Sequence, residues 1–400
     1  MKIKDCAVKR TRDGFRLRHL TSSYRVRMNA EALAVLRSML AKPSSELMTE
    51  PERLVFDRLS KRGIVVQDAD PAGAAEPAVL EGSLLSTVEL ELSSACNLSC
   101  GHCFAELSGK HMPGAVLERA LEGCQELEAV TLVLNGGEPL LSPFFERALR
   151  QARGSGMRVV VMTNGTLVTP EVAGLLAEQK AAKVLVSLDS FERHHDALRG
   201  PGSFQRAVAG IRLLVSAGVP VSVNAMATQE CAGSAGDFAS FCRQELGVSG
   251  VRFSALVPIG RGASAPARLG LSDSALKGLA GSRMLQDDAL HRSQGPLPGQ
   301  GFDCGAGAEQ CFVAADGAVY ACHYFQNIRE PMGDLARSSL AEIHERAREG
   351  SVCSILDWAS LTQCRACPSF EKCRGGCRAR AKLLSGSFSA PDPVACRLHL

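Results

Sequence analysis

Six short apolar segments, each followed by a longer amphipathic stretch, constrain the fold of this chain more than any other feature. They read VELELS, VTLVLN, MRVVVMTN, AKVLVSL, PVSVNAM and VRFSALV. Strands that alternate with helices in this way form a parallel sheet, because each helix returns the chain to the same edge. The sequence therefore predicts an α/β fold, either doubly wound or a partial barrel of six β/α units. A full barrel of eight units would need about 250 residues.

Further segments flank this β/α unit. Residues 1–87 are predicted to form a small α+β domain, with strand-like pieces FRLRHL and YRVRMN and a helix AEALAVLRSMLA. Residues 88–262 form the β/α unit, and 263–299 form a linker rich in Gly, Ala and Ser. Residues 300–400 hold nine cysteines, eight of them at motif-like spacing. A loop-rich domain of this size needs metal centres to stabilise it.

The charge and hydropathy of the chain limit the classes of partner and the location that we expect for it. The net charge of +3 indicates no overall preference for nucleic acid or a membrane surface. No apolar run approaches the roughly 18 residues of a membrane helix, so a cytoplasmic location is expected. Sixteen cysteines in a reducing compartment favour metal binding over disulfides. Residues 1–30 carry nine Lys or Arg and two Asp, which indicates either an acidic partner or a solvated basic edge.

The motif Cys96-Asn-Leu-Ser-Cys100-Gly-His-Cys103 directly follows the first strand of the β/α unit. Three thiolates this close together wrap one iron-sulfur cluster and leave one iron without a protein ligand. A structural zinc site would need a fourth ligand, and His102 adjoins Cys103 too closely to serve easily. With Phe104, the motif resembles that of the radical S-adenosylmethionine (SAM) superfamily. The resemblance implies a partial (β/α)6 barrel and a [4Fe-4S] cluster whose open iron is chelated by SAM.

Polar motifs at the carboxyl ends of the later strands extend this resemblance. They include a turn similar to the family's GGEP motif, and they recur at one edge of a parallel sheet, where barrel enzymes bind their ligands. The resemblance implies that Ser187 contacts the SAM ribose and that Arg199 binds a carboxylate through its planar fork. The residues expected to bind SAM are Phe104, Gly136, Gly137, Glu138, Pro139, Asn164, Ser187, Asp189, Arg199 and Asn224.

The C-terminal cysteines form a second constellation, with spacing CxxCx5CxxxC from Cys364 to Cys377. Zinc ribbons and cluster domains both use paired CxxC elements. The upstream cysteines and the Gly317-Ala-Val-Tyr-Ala-Cys322 segment resemble the SPASM domain of radical SAM enzymes. That resemblance implies two auxiliary [4Fe-4S] clusters, three clusters in all, and an open iron in the first if Cys311 is not a ligand. The implied ligands are Cys304, Cys311, Cys322 and Cys377 for the first cluster, and Cys364, Cys367, Cys373 and Cys396 for the second.

The resemblance also implies the reaction. SAM would be cleaved reductively to a 5′-deoxyadenosyl radical that abstracts hydrogen from a substrate, with electrons from a flavodoxin or ferredoxin. His323 and Tyr324 follow Cys322, where a relative places an acid or base, so they are candidate catalytic residues. Relatives modify ribosomally made peptides, which predicts a precursor peptide or protein as substrate. The basic N-terminal segment would then meet an acidic leader.

Two alternatives follow from the same residues. Related enzymes act on small molecules, by decarboxylating haem precursors or oxidising an alcohol. A protein without enzymatic activity would instead use the C-terminal cysteines as zinc ribbons and the basic arm for nucleic acid. The β/α unit with its cluster motif disfavours this last alternative, because a binding module would not need it.

Overall fold

The computed structural model describes residues 2–3, 6–11, 14–19, 25–42, 48–60, 65–66, 79–80, 85–264, 270–281, 305–350 and 360–399. The chain divides into two compact units, Met1–Leu84 and Leu85–Leu400. The proposed cluster ligand Cys304 lies outside the described residues.

In its described residues, the first unit contains a four-stranded sheet, a two-stranded sheet and two helices. Its strands are β1 (Lys2–Ile3), β2 (Cys6–Thr11), β3 (Gly14–His19), β4 (Arg25–Met28), β5 (Val65–Val66) and β6 (Val79–Leu80). Its helices are α1 (Ala30–Leu40) and α2 (Glu50–Ser60). Strands β4, β3, β2 and β6 form one sheet in that order, and β1 pairs with β5. The side chain of Asn29 caps α1 by accepting from Ala32 N at 2.7 Å. The predicted strands and helices of this region are therefore present.

The register of the β2–β3–β4 strands concentrates basic residues. Lys9 pairs with Arg16, and Arg16 pairs with Arg27. Arg18 pairs with Arg25 in the neighbouring row. Residues that pair directly, or that lie two apart along a strand, share one face of a sheet. These five residues, which we call the basic rows, therefore occupy one face of this sheet.

The second unit is built on a nine-stranded sheet in the order β12-β11-β10-β9-β8-β7-β13-β14-β15. Its strands are β7 (Thr87–Ser93), β8 (Thr131–Gly136), β9 (Arg158–Thr163), β10 (Lys183–Ser187), β11 (Val221–Ala227), β12 (Gly250–Ala255), β13 (Gln310–Val313), β14 (Ala318–Tyr320) and β15 (Gly333–Asp334). Strands β7 to β12 are all parallel, which confirms the predicted six-unit β/α fold.

Helices connect these strands and continue to the C-terminus. They are α3 (Gly114–Glu126), α4 (Phe145–Gly154), α5 (Pro170–Glu178), α6 (Glu192–Arg199), α7 (Ser203–Ser216), α8 (Gln229–Ala232), α9 (Ala235–Gln244), α10 (Asp273–Gly281), α11 (His323–Ile328), α12 (Leu340–Gly350), α13 (Thr362–Arg365), α14 (Phe370–Cys373), α15 (Arg378–Ser385) and α16 (Pro393–His399). Among the described residues, no helix is long and apolar enough to cross a membrane.

Alternate residues of each parallel strand face the helices. On β7, Val88, Leu90 and Leu92 are fully buried in the main apolar core. Because successive side chains of a strand point to opposite faces, Glu89 and Glu91 face the other side. We call that side the lumen face. The positions of polar residues on this face define the candidate site below.

Helix α10 lies within the stretch that the sequence predicts to be a linker. Its Leu276 and Leu279, together with Leu271 just before it, are buried in the main core. The structure therefore differs from the prediction here. The Gly, Ala and Ser content of the segment obscures Leu276 and Leu279, which have the i, i+3 spacing of a helix.

The C-terminal segment joins the sheet directly. Strand β13 pairs in parallel with β7, and β14 and β15 continue the sheet in antiparallel order. The buried carboxylate of Glu91 strengthens this junction by accepting from Ala315 N at 2.9 Å and Gln326 Nε2 at 3.4 Å. Burial raises the pKa of Glu91 by more than these two hydrogen bonds lower it. The auxiliary-cluster segment is thus continuous with the β/α sheet.

Candidate active site

The three cysteines of the cluster loop, residues 96–103, lie together at the carboxyl end of β7. Cys100 is buried, and Cys96 and Cys103 are half-buried. Burial raises the pKa of Cys100, the neighbouring thiolates of Cys103 and Cys96 raise it further, and Arg199 lowers it. The loop therefore gathers three thiols beside one buried cation, which suits a metal centre carrying thiolate charge.

The turn after β8 packs tightly against this loop. Gly136 has φ 153°, and a Cβ there would overlap the carbonyl oxygen of Ser93. A Cβ on Gly137 would overlap the carbonyl of Ala95, and Gly137 N donates to Ser93 O at 2.7 Å. Both positions therefore require glycine, because the turn backbone must approach the cluster-bearing strand closely.

Glu138 is fully buried behind the same turn. Its carboxylate accepts from Thr163 Oγ1 at 2.7 Å, Asn164 N at 2.8 Å and Leu140 N at 3.2 Å. These hydrogen bonds lower the pKa of Glu138, but burial has the larger effect and raises that pKa to about 7. The carboxylate thus joins the ends of β8 and β9, with Pro139 buried beside it. A contact between Glu138 and the SAM amino group stays a prediction.

Asn164 connects the end of β9 to the cluster loop. Its Nδ2 donates to Asn97 Oδ1 at 2.9 Å and lies 3.9 Å from Cys96 Sγ. Its Oδ1 accepts from Thr166 N at 2.9 Å, which fixes the amide orientation. The structure thus brings predicted Asn164 to the first cluster ligand. Asn97, which the motif analysis treated as a spacer, is part of the same contact.

Asp189 and Arg199 form a buried ion pair beside the cluster loop. Arg199 Nε donates to Asp189 Oδ2 at 2.5 Å and Nη2 donates to Oδ1 at 3.3 Å. Arg199 Nη1 lies 3.8 Å from Cys100 Sγ. Burial alone would raise the pKa of Asp189, but Arg199 and His102 outweigh it and hold that pKa well below its usual range. Both predicted residues therefore lie within reach of the cluster.

His102 faces this ion pair. Its Nε2 is 3.8 Å from Asp189 Oδ2, and the ring is buried. Burial lowers its pKa to about 4, although the nearby carboxylate opposes the shift. The ring is therefore neutral near pH 7.

Ser187 and Asn224 occupy neighbouring positions at the lumen face, since they pair directly across β10 and β11. Asn224 Oδ1 accepts from Arg252 Nε at 2.9 Å and from Ser254 Oγ at 3.0 Å. No motif in the sequence marks Arg252. The register of β12 with β11 places it beside Asn224.

His323, Tyr324 and Phe104 form an aromatic cluster that joins the auxiliary segment to the cluster loop. The Phe104 ring centroid is 5.3 Å from that of His323 and 5.6 Å from that of Tyr324. His323 Nδ1 lies 3.3 Å from Glu89 Oε2, which also accepts from Asn135 Nδ2 at 3.1 Å. Sequence reasoning missed Glu89, although a charged residue in the middle of an apolar strand indicates a special role.

The ligands predicted for the second auxiliary cluster are gathered by the structure. Burial raises the pKa of Cys396, and the nearby thiolates of Cys364 and Cys367 raise it further. Burial likewise raises the pKa of Cys373 to about 11, with Cys396 and Cys364 contributing. Four thiols that influence one another in this way suit a cluster site.

Cys311 lies apart from Cys322 and Cys377, the two other ligands predicted for the first auxiliary cluster that the structure describes. Cys322 and Cys377 pack against the same small cluster around Phe325. Cys311 instead pairs with Val88 in register and is buried in the main apolar core. Burial raises its pKa well above the usual value, and the neighbouring Cys124 contributes. This position argues against the predicted ligand role, because the thiol faces the helix side of the sheet.

A second buried ion pair organises the auxiliary cysteines. Asp392 accepts from Arg380 Nη2 at 2.6 Å and from Cys377 N at 2.8 Å. The backbone carbonyl of Asp392 accepts from Cys396 N at 2.9 Å. One residue therefore holds the backbone at a proposed ligand of each auxiliary cluster.

The thiols of the cluster loop suit an iron-sulfur cluster. Among the described residues, no three Cys, His, Asp or Glu side chains lie close enough together to hold one ion. Ligands of a four-iron cluster bind different irons and so do not converge on one point. The three cysteines of the cluster loop, beside Arg199 and Asn164, match this requirement.

The fold and this site define an iron-sulfur enzyme, and sequence comparison identifies the family. The Radical SAM superfamily profile matches residues 90–228, and the SPASM iron-sulfur cluster-binding domain matches residues 304–368. The chain belongs to the radical SAM superfamily and carries a SPASM domain. It therefore binds SAM, a [4Fe-4S] cluster and auxiliary iron-sulfur clusters, and the zinc-ribbon alternative is set aside.

The chain is similar to a mycofactocin maturase, to an AdoMet-dependent heme synthase and, in fold, to a protein solved with a precursor peptide. Mycofactocin maturase MftC of Mycobacterium ulcerans is 31% identical over 76% of this chain and 85% of its own length. The AdoMet-dependent heme synthase of Nitratidesulfovibrio vulgaris is 26% identical over 76% of this chain and 90% of its own. Streptococcus suis SuiB, in a structure bound to precursor peptide SuiA, superposes with a TM-score of 0.64 at 14% identity. That superposition covers 98% of this chain and 99% of SuiB, and it shows a shared fold.

Proposed function

We propose that this radical SAM enzyme modifies a residue of a ribosomally made precursor peptide. The observation that carries the proposal is the likeness to SuiB, which extends over 98% of the chain and so includes most of the first unit. A maturase that binds a peptide thus shares the fold of both units. The identity with MftC, a second maturase, supports the same substrate class.

The basic rows of the first unit suit an acidic leader peptide. Five Lys or Arg residues share one face of its sheet, so an acidic segment would gain several favourable charge contacts there. An extended peptide can also add to a sheet edge through main-chain hydrogen bonds. In the described residues β4 pairs only with β3, which makes β4 the candidate edge.

The cluster-loop cysteines would hold the [4Fe-4S] cluster, with SAM on its open iron. When bound, this pair supplies a 5′-deoxyadenosyl radical that takes a hydrogen atom from the substrate. The chain orients and shields the reactants. Asp189 fixes the fork of Arg199 beside Cys100, and Asn164 fixes the loop at Cys96. Such fixed geometry lowers the entropic cost of bringing the reacting atoms together.

The lumen face supplies the substrate chamber. Half-buried apolar side chains of neighbouring parallel strands point into it, among them Met162, Leu185 and Met226. Apolar walls exclude water, which protects a reactive radical from side reactions. Phe104 and Tyr324, whose ring centroids are 5.6 Å apart, would line the side of the chamber that adjoins the auxiliary segment. The predicted acid–base role of His323 stays a prediction.

The first auxiliary cluster would have one iron without a cysteine ligand. With Cys311 in the apolar core, the remaining proposed ligands are Cys304, Cys322 and Cys377. The second cluster would be held by all four of its cysteines. Auxiliary clusters of this kind can accept an electron from a substrate radical, and a flavodoxin or ferredoxin would supply electrons to the enzyme.

A small-molecule substrate is the second candidate. The match to the heme synthase covers as much of this chain as the match to MftC. Under this alternative the lumen would hold a haem precursor, and the basic rows would not affect turnover.

One experiment separates these candidates. Anaerobically reconstituted protein would be incubated with SAM, dithionite and deuterated synthetic peptides encoded beside its gene. Deuterium in 5′-deoxyadenosine and a mass change in a peptide would support maturation. Deuterium transfer from a deuterated propionate-bearing porphyrin alone would establish the alternative.

The leader contact has its own test. Arg16→Glu/Arg27→Glu should raise the KM for an active peptide at least about tenfold, because it reverses charge in one basic row. The control Arg37→Glu changes an exposed residue of α1 in the same unit. Equal effects of the two changes would refute leader binding at the basic rows.

A further inference from the structure

Arg252 is a cation on the lumen face whose role none of the site motifs explains. Its strand neighbours Val251 and Phe253 are buried in the main core, so Arg252 points to the opposite face. It pairs in register with Asn224, which pairs with Ser187 at the end of β10. Arg252 therefore lies towards the strand ends that carry the SAM site.

The guanidinium of Arg252 is held in one orientation. Its Nε donates to Asn224 Oδ1 at 2.9 Å, and Ser254 Oγ donates to the same oxygen at 3.0 Å. Two donors on that oxygen fix which way the Asn224 amide faces, so its Nδ2 is directed away from them. The two Nη groups of Arg252 have no carboxylate partner among the described residues. Four N–H donors of the fork thus remain for a ligand.

Arg199 and Arg380, in contrast, each have a carboxylate partner. Arg199 is paired with Asp189 at 2.5 Å, and Arg380 with Asp392 at 2.6 Å. Arg252 is half-buried and has no carboxylate partner among the described residues, so a bound anion would pair its charge. Arg158, another arginine on the lumen face, begins β9 and so lies at the opposite end of the strands. Arg252 is therefore the better-placed anion site.

We propose that Arg252, which Asn224 holds in place, binds a carboxylate of the substrate inside the lumen. The inference rests on the proposed function and specifies the chemistry of the reacting portion. The planar fork of arginine matches the two oxygens of a carboxylate. Met162, Leu185 and Met226 supply apolar surface on the same face, so the bound group is a carboxylate on a short apolar body. In a peptide, it is either the C-terminal carboxylate or that of an Asp or Glu side chain.

A pair of small probes tests this site. Cluster-loaded, SAM-bound protein would be titrated with 3-phenylpropanoate and with neutral 3-phenylpropanamide by anaerobic calorimetry. We expect the carboxylate to bind at least about tenfold more tightly than the amide, as a charge-assisted hydrogen bond requires. Arg252→Gln should remove that preference. Arg252→Lys should keep part of it, because an ammonium retains charge without the fork.

The control is Arg243→Gln, which removes an exposed arginine from helix α9 and should leave the preference intact. Equal affinities of the two probes for the wild-type protein would overturn the proposal. So would an Arg252→Gln protein that still prefers the carboxylate. A tenfold loss of SAM affinity in Arg252→Gln, with probe binding unchanged, would assign the arginine to the cofactor and also overturn it.

Two further probes distinguish the sources of the carboxylate. N-acetylphenylalanine offers a C-terminal carboxylate, and N-acetylglutamic acid α-amide offers one on a side chain. If one of these probes binds more tightly than the other, and Arg252→Gln removes that difference, the result supports the site. The probe that binds more tightly then shows which kind of peptide carboxylate the site accepts. Deuterium transfer from the deuterated precursor peptides to 5′-deoxyadenosine is measured in parallel with wild-type protein. Its absence would refute the proposed function, whereas its presence with probe binding independent of Arg252 would refute this inference alone.

Discussion

Removing the carboxylate of Asp189 is expected to destabilise the second unit and disturb the site around the cluster loop. Asp189 is fully buried and accepts from Arg199 Nε at 2.5 Å and from Met226 N at 2.7 Å. In Asp189→Ala the Arg199 guanidinium, whose side chain is 11% exposed, would lose its anion. Breaking one side of a buried pair costs about 3–5 kcal/mol. The backbone N–H of Met226 would also lose its acceptor, which adds about 1 kcal/mol or more.

Anaerobic urea unfolding of cluster-loaded protein, followed by circular dichroism, measures this cost. The double variant Asp189→Ala/Arg199→Ala should recover part of it, because no buried charge is then left unpaired. The exposed pair between Arg150 and Glu178, at 2.9 Å, supplies the control. Glu178→Ala should change stability far less, since solvent screens that pair.

Two results would refute this reasoning. One is an Asp189→Ala protein whose unfolding free energy differs from wild type by less than about 1 kcal/mol, the range of an exposed pair. The other is a double variant that is less stable than the sum of both single changes predicts. Either outcome would mean that Arg199 finds another anion or reaches water once Asp189 is gone.

Three further predictions concern buried groups. The pKa of Glu138 is raised to about 7, so between about pH 4.5 and 7 this carboxyl group is ionised only in the unfolded chain. The unfolding free energy of the wild-type protein should therefore fall as the pH rises through that range. The unfolding free energy of Glu138→Gln should not show this decline, so the two proteins should differ in their pH dependence by on the order of 3 kcal/mol across that range. Identical pH dependences for wild type and variant would contradict the prediction. Cys311→Ala should retain the iron content of wild type by chemical iron assay, whereas loss of about four irons would restore its ligand role. Asp392→Ala should lose auxiliary-cluster signals in electron paramagnetic resonance, since Cys377 N and Arg380 both lose their acceptor; wild-type spectra would show that Asp392 does not position the cluster.

The sequence predicted the parallel sheet and the cluster loop well, because both depend on local patterns. Each apolar segment from VELELS to VRFSALV became a strand, and the thiols of Cys96, Cys100 and Cys103 lie together as their spacing requires. The strand-end motifs also meet at one edge, since parallel strands leave no alternative.

Features that depend on tertiary contacts were not predictable in the same way. Spacing alone cannot tell that Cys311 faces the helix side of the sheet, because this follows from the pairing of β13 with β7. The pairing of Arg252 with Asn224 likewise depends on the register of two strands. Helix α10 was missed because its leucines lie in a segment of loop-like composition.

The sequence contains a pattern that indicates a polar role for Glu89, and the predicted site residues do not include it. Charged residues at alternate positions of VELELS indicate a strand with one apolar face and one polar face. The structure places Glu89 against His323 and Asn135 on the lumen face. Its partner His323 lies more than 200 residues further along the chain, so only the fold reveals the contact.

The central claim is that Cys96, Cys100 and Cys103 hold the cluster that cleaves SAM. It is tested most directly by iron and sulfide analysis, electron paramagnetic resonance and 5′-deoxyadenosine assay of anaerobically reconstituted protein. Wild type should hold about twelve irons, and the Cys96→Ala/Cys100→Ala/Cys103→Ala protein about eight, with no 5′-deoxyadenosine formed. The buried core variant Cys242→Ala should match wild type. Zinc in place of iron, or 5′-deoxyadenosine formed by the triple variant, would contradict the account.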